Sequence, residues 1–289
     1  MKTGVRLVDG SRELVLHPSL DYVPQRLIVA SPAVREVSES RTDDDGDRDT
    51  TVLFGGRAVS LEVVVVDERA STEVLLDQVK RFLHPRSRPY LHVTDDGWSG
   101  ERRIRLRVDQ WDDPYEGYGA SHSRPLQLQW KAPDGVWEAA DSTSVTVSAD
   151  ISRAVGVSFP VTFPVMFAAT QAAGAAMVDN LGSVPSHFTA RMYGPCTGPR
   201  LVNETTGEEI TFVDSLSLAA GDYIEIDTRQ RTAYLTVNGS ASRVSRLNSV
   251  DFTVTSWWRL EPGTQVVRYA PPLASAGAAA VIDYRACWL

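Results

Sequence analysis

Along most of its length the chain alternates apolar and polar residues with the two-residue period of a half-buried strand. Only one segment switches to the 3.6-residue period of a helix. This pattern predicts a mainly β protein. Val5-Arg6-Leu7-Val8 and Glu13-Leu14-Val15-Leu16 flank Asp9-Gly10-Ser11 and read as a small hairpin. Two longer strands, residues 26–38 and 52–67, enclose a stretch carrying Asp43, Asp44, Asp45, Asp47 and Asp49 that is too charged to bury. A long hairpin with a protruding acidic tip is expected. The helix is predicted over residues 72–84, where Leu75, Val79 and Phe82 share a face. Ser71 is placed to cap it, Glu73 lies in its first turn, Lys80 and Arg81 lie in its last, and Pro85 stops it. Strands over 89–94, 102–111 and 125–130 complete a first domain, a sheet assembly carrying one helix.

At 289 residues the chain exceeds what one core usually fills. Residues 141–158 are rich in Ser, Thr and Ala and low in charge, which puts a domain boundary near Ala140 and divides the chain into 1–140 and 141–289. Val145-Thr146-Val147 can add a strand at the junction, and Gln171 to Met177, though Ala-rich, is interrupted by Gly174 and gives no helix. Beyond it come short strands at regular spacing, among them 222–227, 232–237, 251–258, 265–269 and 279–288, the pattern of a β-sandwich.

The composition, 43% hydrophobic and 23% charged, is that of a globular domain, with no apolar run near the roughly 20 residues that span a bilayer. Arg6, Asp9, Arg12 and Glu13 interrupt any apolar core that a secretion signal would need, so synthesis and assembly in the cytosol are expected. A net charge of -8 argues against a nucleic-acid coat. Cys196 and Cys287 are expected to be free and buried in a reducing compartment.

The second half also carries a resemblance. Ala219-Ala220-Gly221-Asp222-Tyr223-Ile224-Glu225-Ile226-Asp227-Thr228, then Asn238-Gly239, then Ser256-Trp257-Trp258-Arg259-Leu260-Glu261-Pro262-Gly263, resemble the C-terminal half of the distal tail (Dit-like) proteins of siphophages. Asn180-Leu181-Gly182-Ser183-Val184-Pro185, Gly194-Pro195 and Asn203-Glu204-Thr205-Thr206-Gly207 follow the same family order upstream. Residues 130–138 are similar to the segment closing its ring domain, although the family more often has Pro where this chain has Gly135. The resemblance implies a tail-tube-like, ring-forming N-terminal domain and a galectin-like, carbohydrate-module-like C-terminal sandwich. It further implies a homo-hexameric ring at the distal tip of the virion tail. The partners it implies are the tail tube protein, the hub or tip protein and the tape measure protein.

The residues themselves point to structure more than to chemistry. Asp227 and Thr228 can bond local backbone to set a turn, with Ile224 and Ile226 on one face and Tyr223 and Glu225 on the other. On a strand, adjacent Trp257 and Trp258 must point to opposite faces, leaving one as an outward aromatic for solvent, partner or sugar. The tip Asp43-Asp44-Asp45-Gly46-Asp47 departs from a calcium loop at Arg41 and Val52, so no metal is assigned. The tip instead offers a subunit contact to Arg103, Arg105 and Arg107, which alternate against Ile104, Leu106 and Val108. Gly97-Trp98-Ser99-Gly100 lacks nucleophile-elbow spacing, Gly117-Tyr118-Gly119 lacks a dinucleotide loop, and His17, His84, His92, His122 and His187 show no close ligand spacing. Carboxylates such as Glu208, Glu209 and Asp214 fall at turn or strand-surface positions, so neither a catalytic residue nor a cofactor is assigned.

The sequence thus predicts a structural protein whose ring contacts are Val34 to Val52, with Asp43, Asp44 and Asp45 at the tip, and the strand bearing Leu61 and Val63. The alternative is a saccharide-binding, lectin-like module for adsorption to the host wall. It would need a solvent-facing aromatic shelf at Trp257 or Trp258.

Overall fold

The structure of the protein, a computed structural model, describes residues 2–40, 45, 47–66, 72–113, 123–149, 174–240 and 242–289. The chain divides into two compact units, Met1–Asp141 with Trp288–Leu289, and Ser142–Cys287.

Unit 1 begins with the hairpin β1 (Lys2–Asp9) and β2 (Arg12–Leu16). There follow β3 (Tyr22–Val29), β4 (Val34–Ser40), β5 (Asp47–Phe54), β6 (Arg57–Val66), α1 (Thr72–Phe82), β7 (Tyr90–Asp95), β8 (Arg102–Arg105), β9 (Arg107–Asp112), β10 (Ser123–Ala132) and β11 (Trp137–Ala139). One antiparallel sheet runs β2-β1-β7-β8-β11 and a second runs β3-β6-β10-β9. Alternation sorts their side chains: Leu7, Leu14, Leu91 and Ile104 from the first and Val59, Leu128 and Trp130 from the second enter one core. The helix adds Leu76 and, as expected, Val79 and Phe82 to it, while Leu75 is only partly buried at the edge of that face. Tyr22 ties α1 to β3, donating from its hydroxyl to the Leu75 carbonyl (3.2 Å) and to Gln78 Oε1 (3.0 Å). Ser71, the expected cap, lies outside the described residues.

The two long strands predicted around the acidic segment are each broken in two. Pro32 has no amide to give, and opposite it Gly55 and Gly56 bond across the gap, Gly55 N–H to the Ala33 carbonyl (2.6 Å) and Ala33 N–H to the Gly56 carbonyl (3.2 Å). Below the break β3 and β6 belong to the four-stranded sheet; above it β4 and β5 pair only with each other. Gly135 packs beside this break with φ +66°, where a Cβ would stand 2.4 Å from the Gly55 carbonyl oxygen. Proline, fixed at negative φ, cannot take that conformation, so this backbone requires a residue such as Gly135.

The strand predicted over residues 102–111 is also two strands. It changes sheet at Leu106, which is fully buried and donates its amide to the Pro89 carbonyl (2.8 Å). An apolar residue on both sides of the switch satisfies both sheets, a pattern that simple alternation does not reveal.

Unit 2 contains β12 (Thr143–Ser148), β13 (Ala175–Asn180), β14 (Phe188–Tyr193), β15 (Cys196–Thr197), β16 (Arg200–Asn203), β17 (Glu209–Thr211), β18 (Ser217–Leu218), β19 (Tyr223–Asp227), β20 (Thr232–Thr236) and β21 (Arg243–Ser245). After them come β22 (Gly263–Tyr269), β23 (Leu273–Ala274), β24 (Ala279–Tyr284) and β25 (Cys287–Trp288). The sheets β12-β24-β14-β19-β20-β21 and β13-β22-β16-β17 enclose a core of Ala190, Met192, Ile224, Ile226 and Ile282 with Val178, Leu201, Val267 and Tyr269. The short sheet β18-β15-β23 completes this sandwich. Cys196 and Cys287 are free and buried. Residues 251–258, predicted as a strand, are irregular. Asp251 Oδ1 accepts from the Thr253 amide and hydroxyl, and Thr255 trades hydrogen bonds with the Thr211 backbone, so side chains fill the places of strand partners.

Trp288 closes the chain back on unit 1, beside β11. The Arg102 guanidinium lies between the Trp98 ring (4.3 Å) and the Trp288 ring (3.9 Å), and Trp98 meets Trp137 edge to face.

Beneath this stack Arg6 grips Glu101 through two hydrogen bonds (2.7 and 2.9 Å), and buried His92 places Nδ1 3.3 Å from the same carboxylate. The Arg6 hydrogen bonds, ahead of the opposing effect of burial, hold Glu101 below its ordinary 4.5; burial holds His92 below its ordinary 6.5. Both folded values are depressed, so both stabilising contributions are present above the unfolded values and are lost as pH falls. The thermal unfolding midpoint, followed by tryptophan fluorescence, is therefore expected to drop between about pH 7 and about pH 5 as His92 protonates in the unfolded chain. His92→Gln should flatten that interval and leave the later, carboxylate-driven drop in place.

Candidate functional site

The structure disperses the residues that the sequence grouped as a ring interface. Leu61 and Val63 point into the core of unit 1 and are essentially inaccessible, so the face of β6 that carries them holds its own sheet and offers nothing to a neighbour. Arg103, Arg105 and Arg107 do not share a strand face, because the sheet switch at Leu106 puts Arg107 on β9. Arg103 is engaged internally, donating to Glu138 Oε2 (3.2 and 3.3 Å) and covering the Tyr90 ring at 4.3 Å; Arg105 and Arg107 are exposed. Asp43 and Asp44 lie outside the described residues, Asp45 is exposed, and Val52 pairs through its backbone with Glu36 in the ribbon.

What the structure does bring together is an apolar foot for that ribbon. Val34 and Phe54 stand opposite each other across β4 and β5, next to Leu53, and all three are about half exposed, at 55%, 50% and 48%. Beside such a foot, a ribbon that pairs only with itself is marginal in water without further burial.

The two tryptophans do not form a shelf. Trp258 is buried against Phe188, ring centroids 4.4 Å apart, and Trp257 is partly buried against the same core. Trp258 is thus not an outward aromatic, and with the segment irregular, strand alternation does not separate the pair. Trp258→Ala should cost about 3–5 kcal/mol in denaturant unfolding, as for other buried aromatics, and Trp257→Ala about 1–2 kcal/mol. Equal costs would contradict this assignment.

The remaining segments that carry the resemblance prove to be fold-setting. Asn180 donates from Nδ2 to the Val184 (3.1 Å) and Leu260 (2.9 Å) carbonyls and accepts from the Gly182 amide. Gly182 has no room for a side chain, since a Cβ would stand 2.1 Å from the Cys287 carbonyl oxygen. Asn203 caps the turn at Thr205 and Thr206, and Asp227 Oδ1 accepts from the Arg229 and Gln230 amides to close the β19–β20 turn. Thr228, expected to act locally, instead exchanges hydrogen bonds with the Phe188 backbone and docks that turn on β14.

Two surfaces escaped sequence reasoning. On unit 2, Phe252 is 60% exposed with Val254, Leu247 and Val213 also open, their segments held by the bonds of Val213 to Ser249 and Asp251 to Thr211. On unit 1, an open cleft of about 680 Å³ is lined by the cations Arg12, Lys80, Arg81, Arg86 and Arg88, with His84 and Ser87 and the two carboxylates Asp9 and Asp77. In the sequence Lys80 and Arg81 drew notice as helix-end cations; Arg12, Arg86 and Arg88 reach the cleft from outside the helix.

With this geometry in hand, comparisons with known proteins are informative. Residues 182–288 match the model of the siphovirus-type tail component, C-terminal domain. Over 99% of both chains the fold matches the Dit protein of phage SPP1, described as a paradigm of the hub adsorption apparatus in phages infecting Gram-positive bacteria, with TM-score 0.61 and 11% identity. It also matches, over 98% of this chain and 97% of the other, chains of the phage P2 baseplate in its activated conformation with Ca and with Sr, each with TM-score 0.55 and 12% identity. No curated protein matches the sequence at a significant level. Residues 182–288 are thus similar to the C-terminal domain of siphovirus-type tail components, and along nearly its whole length the chain shares the fold of the SPP1 Dit protein.

Proposed function

We propose that the protein is a structural subunit of the distal tail, several copies of which, six by analogy with its family, close a ring joining the tail tube to the baseplate hub. Unit 1, the tail-tube-like part, makes the ring; unit 2, the galectin-like part, receives the neighbouring tip proteins. The observation that carries this reading is the β4–β5 ribbon, which among the described residues has no third strand and which carries exposed apolar residues at its foot, Val34, Leu53 and Phe54. Its stability and its exposed surface both call for a neighbour.

The contact is of the head-to-tail kind, in which one surface of a copy meets a different surface of the next and the rotation closes a ring. The partners on its two sides are the tube protein and the hub protein, with the tape measure protein near the centre. A subunit charge of -8 keeps the inner wall from holding DNA in transit. The assembled product is a virion component at the tail tip, put together in the host cytoplasm, and the role requires geometry in place of a catalytic group. The exposed patch at Phe252 and Val254 supports unit 2 as a protein-docking surface, whereas burial of Trp258 leaves only the partly buried Trp257 to the aromatic shelf that the saccharide-binding alternative requires.

Oligomeric mass by light scattering together with negative-stain imaging tests the proposal. Wild-type protein should give open rings, alone or on purified tail tubes. Phe54→Asp should raise the concentration needed for assembly about tenfold or more, with the circular dichroism of the subunit unchanged. Rings that form equally well in the variant would remove the ribbon from the interface. Monomers alone and on tubes would remove the ring.

A further inference from the structure

The cationic cleft of unit 1 has a feature that its own neighbourhood does not explain. Cations at the end of a helix are ordinarily accounted for by the helix dipole, which covers Lys80 and Arg81. It does not cover Arg12, which comes from the β1–β2 hairpin, or Arg86 and Arg88, which come from the loop after the helix.

The walls are fixed to one another. Ser87 donates from its hydroxyl to Asp9 Oδ2 (2.5 Å), tying loop to hairpin, and Arg88 donates from Nη1 to the Pro85 (2.8 Å) and Ser87 (2.7 Å) carbonyls. Within the cleft Asp9 pairs with Arg12 (3.1 Å), and Lys80 reaches Asp113 (3.6 Å). Among the described residues Arg81 and Arg86 have no carboxylate partner, and Asp77 alone offsets them. In a chain of net charge -8 this is a fixed, concentrated positive site open to solvent.

The most concentrated acidic segment of the sequence is residues 43–49, with Asp43, Asp44, Asp45, Asp47 and Asp49 against one basic residue, Arg48. In the chain it follows β4 and runs into the first residues of β5, away from Val34 and Phe54. The arginine strand that the sequence offered it is divided between two sheets, whereas the cleft gathers its cations in one place.

We infer that the cleft receives the acidic tip, residues 43–49, of a second copy of this chain. The inference rests on the ring reading above and supplies its second contact. Two different, complementary surfaces on one chain are what head-to-tail closure requires. The charges set register and encounter rate, while the apolar foot supplies burial.

A fluorescent peptide spanning residues 38–50, titrated against the full-length protein by anisotropy, tests this directly. Binding is expected at about 0.05 M salt and should weaken about tenfold or more by about 0.3 M. The paired change Arg81→Glu with Arg86→Glu, or Arg86→Glu alone if the pair disturbs folding, should abolish it, as should Asn in place of the aspartates of the peptide. A peptide with Lys in place of Asp should bind the reversed protein and not the wild type.

Absence of binding to wild-type protein would overturn the inference. Peptide binding seen only when the protein's own tip is neutralised would overturn it too, since the cleft would then hold the tip of its own chain. Tighter capture of a DNA duplex of matched charge would make the cleft a nucleic-acid site and overturn it as well. Rings that persist unchanged in the reversed variant would overturn this contact and leave the ring reading standing. Peptide binding without rings would do the reverse.

Discussion

Burial of one face of β6 is the constraint on which unit 1 depends. Val59, Leu61, Val63 and Val65 are all inaccessible, and a one-residue slip would turn every one of them outward. Their burial therefore fixes the register of β6 against β3 and β10 along its whole length. It also fixes where the chain leaves the sheet, at Gly55 and Gly56, to become the ribbon. The core thus determines where the ribbon starts. The proposed ring role draws on that division, a rigid root carrying a self-paired ribbon that another copy would complete.

Charge is organised along the same lines. Inside unit 1 the ions are engaged in short, local arrangements: Arg6 with Glu101, Arg103 with Glu138 and Tyr90, and Arg102 between two indoles. These hold elements together and leave little for a partner. The cleft at the end of α1 gathers cations of unit 1, among them Arg81 and Arg86, and the sequence between β4 and β5 is of opposite sign. Apolar contact at the foot of the ribbon and ionic contact at its tip would divide labour as in other interfaces, the first giving affinity and the second giving orientation and salt sensitivity.

Much of the architecture was legible in the sequence because side-chain period is a direct consequence of backbone geometry. The first hairpin, the single helix, β10, β19 and β20 follow from it, and free buried cysteines follow from their number. Failures occurred where one apolar residue serves two elements or where side chains replace strand partners. Leu106 hides a change of sheet, Pro32 with Gly55 and Gly56 hides a break in a hairpin, and Asp251 and Thr255 turn a predicted strand into an irregular segment. The candidate interface suffered most. Leu61 and Val63 looked like contact residues because their strand was assigned to the arm, and Trp258 looked like half of an alternating pair. The cleft was invisible because Arg12, Arg86 and Arg88 converge only in three dimensions.

The central claim is that the self-paired β4–β5 ribbon is completed by another copy. Hydrogen–deuterium exchange of the full-length protein, compared between dilute monomer and assembled ring, reads this directly from the backbone amides of residues 34–54. The account predicts marked slowing there on assembly, with β1, β7 and the core of unit 2 unchanged. Equal exchange of the ribbon amides in monomer and ring would contradict it.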